Sequence, residues 1–180
     1  SGTVTTDTFD TASGLRVQQI IDSATTYTTS TWTNGTLTKV IALATEVKQN
    51  GAEIIAFPET FIPGYPWYLW LDSVAWQSQF TVPYALNSLE IGSEQWQRIE
   101  HAAGELGITV ALGFSEREGG SMYMAQAVID DQGKTLMTRR KLKPTHVERT
   151  QFGDGDGSDF QVIDTPVGRV GALNCWEHLQ

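Results

Sequence analysis

The chain has 180 residues, 40% apolar and 18% charged, enough to build the packed core of one domain and too apolar for wholesale disorder. Twelve Lys and Arg against 21 Asp and Glu give a net charge of −9, which argues against a phosphate-binding surface spread over the molecule. A single cysteine excludes an internal disulfide framework and an all-thiolate zinc site, and the longest aromatic-aliphatic run, Trp67 to Leu71, falls far short of the roughly 20 residues of a membrane helix.

The N-terminus shows neither the basic stretch nor the apolar stretch of a signal peptide. It begins Ser-Gly, which reads as a processed or added end. Residues 1–14 read as a flexible lead-in, with the remainder, 15–180, as a single domain. Leu15 to Asp22 reads as a strand, and the Thr-rich run 23–36 as a loop or irregular strand. Asn34-Gly35-Thr36 fits the glycosylation pattern only at the level of chance.

From Thr36 to Gln49 the apolar residues Leu37, Val40, Ile41, Ala44 and Val47 recur at helical spacing, and Asn50-Gly51 stops the run. Glu53 to Phe57 is expected to be a short buried strand ended by Pro58. Residues 58–92 form a long excursion rich in proline and aromatic side chains. A second helix is predicted from an N-cap at Ser93 to a terminating Gly107. Ile108 to Phe114 reads as a buried strand. Met122 to Ile129 and Thr135 to Arg140 alternate about Asp130-Asp131-Gln132-Gly133, a hairpin pattern. Residues 151–159 are a glycine-acid loop. Phe160 to Asp164 and Val170 to Leu173 form a second hairpin through Pro166 to Arg169. Helix–strand units followed by hairpins imply a layered α/β fold with a mixed sheet.

Four features bear on chemistry. Cys175 follows an apolar run and Asn174, so it reads either as a small buried hydrophobe or as a nucleophile displayed on a sharp turn. Residues 139–149 hold five of the 12 cations, Arg139, Arg140, Lys141, Lys143 and Arg149. This segment is either a solvated basic end or the source of one inward lysine that lowers a thiol pKa and stabilises an anion. Strand alternation puts Arg139, Lys141 and Lys143 on one face and Arg140 on the other. Glu59 follows a strand and a proline, where α/β proteins place active-site groups, although a loop acid fits equally. Nine of the 18 aromatic residues fall within 57–84. They form either core or the wall of an apolar pocket, with Tyr65 and Trp67 nearest Glu59. His146-x-Glu148 with Cys175-x-x-His178 is a weak metal pattern lacking the P-C-x-x-C of zinc deaminases. A Cys/His pair of the papain kind is less complete than the acid–lysine–thiol set.

Three motifs, FPETFIPGYPWYLW (57–70), RRKLKPTHVERTQFGDGDGSD (139–159) and GRVGALNCWEHLQ (168–180), closely resemble the nitrilase branch of the carbon–nitrogen hydrolase superfamily. GFSEREGGSMYMAQAVID (113–130) also fits, so the resemblance runs from about Leu37 to Gln180. It implies an α-β-β-α sandwich, here incomplete, and a Glu-Lys-Cys set acting on nitriles. Glu59 would be the general base, Lys141 the catalytic lysine with Lys143 as its rival, Cys175 the nucleophile and Glu148 a second active-site glutamate. Tyr65, Trp67, His146 and Trp176 are assigned to substrate binding, the last through its backbone N–H. No metal or organic cofactor is implied. An amidase, a cyanide-degrading hydrolase with the same triad, or an inactive assembly subunit are the alternatives. The resemblance further implies a homodimer or spiral, a small-molecule nitrile substrate with no nucleic-acid or membrane partner, and a cytoplasmic setting. Family members continue beyond the cysteine. The chain is therefore expected to be an N-terminal portion that leaves apolar surface uncovered and is weakly active or inactive alone.

Overall fold

The computed structural model describes residues 31–179. The lead-in over 1–14 and the strand expected at Leu15 to Asp22 lie outside the described residues. Helix α1 spans Thr31–Gln49, so the loop expected over 23–36 is corrected where it overlaps: residues 31–36 are already helical. Leu37, Val40 and Ala44 form its buried stripe. Lys48, in its last turn, donates to the Gly107 carbonyl at 2.6 Å, tying its end to the C-terminal end of the helix over Glu94–Leu106.

Strand β1 is Ile54–Ala56, and it is not buried as expected. It is the edge of the sheet and pairs on one side only, parallel to the next strand, so Ile54 remains 38% exposed. The excursion after it holds a 3-10 helix, Trp67–Trp70, and a helix that the sequence pattern hid, α2, Val74–Leu86. Ser73 caps α2 by accepting from the Trp76 N–H. The Gln77 amide donates to the Leu69 and Asp72 carbonyls and fastens α2 to the 3-10 turn. Helix α3, Glu94–Leu106, starts and stops where its signals lie. The Ser93 hydroxyl accepts from the Trp96 N–H at 3.3 Å, and Gly107 adopts the left-handed conformation. Trp96, Ile99 and Ala103 bury its inner face. Full burial of a side chain such as that of Ile99 contributes about 1.5–3 kcal/mol.

Strands β2 (Thr109–Glu118), β3 (Ser121–Ile129) and β4 (Thr135–Arg140) are consecutive antiparallel neighbours. With β1 they form one sheet in the order β1-β2-β3-β4. Side chains alternate between its faces. Ile108, Val110, Leu112 and Phe114, with Ala125, Ala127 and Ile129, meet α1 and α3 in the main core. Met122 and Met124 point the other way and join Tyr68, Leu69, Phe80, Tyr84 and Phe152 in a second cluster. Gln126, Arg139 and Lys141 follow this second parity, whereas Arg140 pairs with Ala125 on the first. Beyond the glycine-acid loop, β5 (Val162–Thr165) and β6 (Gly168–Gly171) make a separate hairpin. A last 3-10 turn covers Cys175–Leu179. Phe160, Val162, Trp176 and Leu179 are exposed apolar side chains in this region. These elements give a mixed α/β arrangement that fits an incomplete α-β-β-α sandwich.

Candidate active site

The chemically capable side chains sit just past strand ends or in short 3-10 turns. Glu59 leaves β1 through Phe57 and Pro58. Its turn lies so close to β2 that a Cβ at Gly113 would stand 2.1 Å from the Pro58 oxygen. Lys141 is the first residue after β4, and its N–H donates to the Met124 carbonyl at 2.7 Å. Glu148 lies in a 3-10 helix, His146–Thr150, whose Thr145 N-cap and Glu148 form a reciprocal capping box. Cys175 follows β6 at the start of the last 3-10 turn. Thr60, His146 and Cys175 all hold φ near +50°, a left-handed conformation that costs a non-glycine residue on the order of 1–3 kcal/mol. Thr60 follows Glu59, His146 lies two residues before Glu148 and Cys175 lines the cavity, so the strain collects next to the side chains that must be aimed.

The Lys141 ammonium is buried, with 1% of its side chain exposed, between two carboxylates. It reaches Glu59 Oε2 at 3.0 Å and Glu148 Oε2 at 2.8 Å. Glu148 also accepts from the Tyr65 hydroxyl at 2.7 Å and the Thr145 N–H at 2.5 Å. The Trp70 indole N–H in turn donates to the Tyr65 oxygen at 3.0 Å. Burial pushes the Glu59 carboxyl above its ordinary pKa, against the pull of Lys141, and the charge of Glu148 adds to the rise. Burial alone would weaken the Lys141 ammonium, yet hydrogen bonds and charge from Glu148 and Glu59 raise its pKa. Desolvation and the Glu148 hydrogen bond also raise Tyr65, so it stays a neutral donor.

Cys175 is open to the cleft rather than a buried hydrophobe. The expectation that a lysine lowers its pKa is corrected. Desolvation by the cleft walls and the charge of Glu59 raise the thiol, outweighing Lys141 and the Trp176 N–H. The shift disfavours a preformed thiolate at Cys175, which shares its cavity with Glu59.

Glu59, Tyr65, Trp67, Glu148, Cys175 and Trp176 line one cavity of about 860 Å³. His146 is not in it. It stacks on Trp70 with ring centroids 5.6 Å apart and lines a smaller neighbouring cavity, because the 3-10 helix turns Glu148 inward and leaves His146 outside. Lys143 is likewise absent. It is exposed and bonded to Asp154 at 2.5 Å, since the chain has left the strand and its alternation. Trp70, Gln126, Asn174 and His178 line the cavity without having been assigned to the site. Trp70 belongs to the aromatic run, which is the one signal that pointed to it. Among the described residues no group of three His, Cys, Asp or Glu is placed to share a metal ion, and no helix is long and apolar enough to cross a membrane.

The profile of the carbon-nitrogen hydrolases matches residues 17–180. The chain belongs to the carbon–nitrogen hydrolase family. It is 54% identical over 141 residues to an arylacetone-specific nitrilase of Alcaligenes faecalis, covering 78% of this chain and 40% of that protein. It is 53% identical over 147 residues to a nitrilase of Pseudomonas syringae pv. syringae, covering 82% of this chain and 44% of the relative. This carbon–nitrogen hydrolase chain thus spans less than half the length of these relatives. A carbon-nitrogen hydrolase from Helicobacter pylori G27 superposes with a TM-score of 0.62 at 17% identity, over 82% of this chain and 49% of that one, which shows the shared fold.

Proposed function

We propose that this carbon–nitrogen hydrolase chain carries the catalytic residues of a thiol nitrilase, which converts a nitrile and two waters into a carboxylic acid and ammonia. The supporting observation is the buried Glu59–Lys141–Glu148 relay facing a strained, cleft-exposed Cys175. The nitrilases among its relatives support the choice of nitrile.

A nitrile carbon is a poor electrophile and needs a sulfur nucleophile. Glu59 takes the Cys175 proton as the Sγ–C bond forms and delivers it to the nitrile nitrogen, giving a thioimidate. The raised pKa of Glu59 suits a base that must also give its proton back. Glu59 then deprotonates a water that adds to the thioimidate carbon. Proton transfer to nitrogen and cleavage of the C–N bond release ammonia and leave a thioester. A second water, activated the same way, breaks the C–S bond and restores the thiol. Lys141 and the Trp176 N–H face the anionic tetrahedral states, and one such donor is worth roughly 2.7–4 kcal/mol. Glu148 keeps Lys141 protonated and aimed. Collapse of the first tetrahedral adduct by C–S cleavage releases an amide instead, a natural side product.

Tyr65, Trp67, Trp70 and Trp176 make the cavity wall aromatic, which favours an apolar nitrile over free cyanide. Ammonia release from phenylacetonitrile, phenylacetamide and cyanide tests this. Nitrile turnover with a covalent mass increase at Cys175 is the expected result; reaction with amides alone sinks it. The same reading carries self-association, for which exposed Trp70, Leu71 and Val74 offer apolar surface, and a reducing cytoplasm that suits a free thiol.

A further inference from the structure

Glu177 has no part in the chemistry above, yet it is among the most heavily bonded side chains of the described residues. Its carboxylate accepts four hydrogen bonds. Oε2 takes Arg139 Nη1 and the Asn174 N–H, both at 2.6 Å. Oε1 takes Arg139 Nη2 at 2.8 Å and the Leu142 N–H at 2.9 Å. Leu142 follows Lys141, and Asn174 precedes Cys175. One buried carboxylate thus grips the backbone beside the lysine and the backbone beside the thiol.

Arg139 completes the clasp. Its side chain is 1% exposed, and it also donates to the Ala172 carbonyl at 3.2 Å, on the approach to Cys175. The Phe160 ring lies 4.7 Å from its guanidinium. The segment from Ala172 to Cys175 belongs to neither sheet, so nothing in a strand ladder fixes it against β4. Gln126 adds one further tie, from its amide to the Leu173 carbonyl at 3.1 Å.

We propose that Glu177, held by Arg139, is the positioning residue that sets Cys175 against Lys141 and Glu59. The function rests on the nitrilase reading only for its substrate; the geometry does not. A carboxylate is required because all four incoming groups are donors. Glutamine has the same shape but turns an NH₂ toward one pair of donors, so one end of the clasp opens. Misplacement by about 1 Å is enough to cost roughly 100-fold in rate. The thiol also answers to its neighbours: Glu59, Lys141, Glu148 and the Trp176 N–H are the groups that act on it.

The test compares the parent chain with Glu177→Gln, and with a charge-free pair, Arg139→Met with Glu177→Leu, in case the glutamine variant fails to fold. Iodoacetamide alkylation of Cys175 against pH is measured for each, with circular dichroism and urea midpoints, beside turnover of phenylacetonitrile. The expected result is a folded variant whose alkylation midpoint moves down toward the free-thiol value of about 8.5, with kcat lowered about 10- to 100-fold and KM little changed. A folded variant with an alkylation profile superimposable on the parent's overturns the proposal. So does failure of both variants to fold, which makes the clasp structural alone. A parent that alkylates as described but turns over no nitrile sinks the nitrilase reading and leaves this one standing.

Discussion

Lys141 and Glu148 are seven residues apart in the chain and 2.8 Å apart at their charged ends. The backbone turns back between them because Thr145 caps the short helix that carries Glu148 inward. The ammonium therefore has a full partner before Glu59 is counted, and Glu59 is left freer to exchange protons.

Removing the lysine should cost more than catalysis. Lys141→Ala leaves two carboxylates facing each other in a buried site, and breaking such a pair from one side costs about 3–5 kcal/mol. Glu148→Gln keeps the shape and should lose less stability. Urea titration of both variants checks the order. Equal midpoints for Lys141→Ala and the parent contradict the buried pairing.

The pH dependence follows from the directions at the site. Lys141 is raised, so its contribution is fully present below the unfolded amine value of 10.5 and is lost as pH rises through the folded value. Glu59 is also raised, so the folded chain holds its proton more tightly and ionising it costs stability above 4.5. As the proposed base, Glu59 must be ionised to act. The acid limb of turnover should therefore lie above 4.5, and stability should fall on the alkaline side of 10.5. A rate profile and a pH series of thermal midpoints read the two limbs separately.

Much of this site was legible because its residues sit at element ends that the sequence marks. Pro58 ends β1 just before Glu59, the Arg139–Lys141 alternation holds to the end of β4, and Ser93 and Gly107 bound α3. Helix α2 was hidden because Pro83 lies inside it and its residues are apolar on more than one face. The edge exposure of β1 depends on which strands pair, which a three-residue run does not reveal. The direction of the Cys175 shift is a balance between Glu59 and Lys141 across the cleft, and it takes geometry to show that burial and Glu59 win. Glu177 was invisible because half of its partners are backbone N–H groups that no side-chain pattern marks.

Two glycines stand where backbones nearly touch. At Gly113 a Cβ would lie 2.1 Å from the Pro58 oxygen and 2.9 Å from the Glu59 Cα. At Gly155 it would lie 2.7 Å from the Arg140 oxygen and 2.9 Å from the Lys141 oxygen. Backbone contacts of this kind do not yield by side-chain rotation, so alanine at either site should shift Glu59 or Lys141. Gly113→Ala and Gly155→Ala should each lower kcat about tenfold or more. Gly120→Ala is the control, since a Cβ there meets nothing. A Gly113→Ala enzyme as active as the control refutes the close approach.

The strain at Cys175 can be weighed directly. Its φ is +49°, and a left-handed conformation costs an L-residue roughly 1–2 kcal/mol while glycine adopts it freely. The side chain is exposed, so its removal sacrifices little packing. Cys175→Ala keeps the Cβ and the strain; Cys175→Gly removes both. Both variants should be inactive. Glycine should nevertheless be the more stable of the two, by about 1 kcal/mol, even though it loses more backbone entropy on folding than alanine does. In an ordinary helical or extended setting the order reverses, with alanine ahead. Chemical denaturation of the pair therefore reports the backbone conformation at residue 175 without any substrate, and alanine ahead of glycine would mean that the thiol is not held on a strained turn.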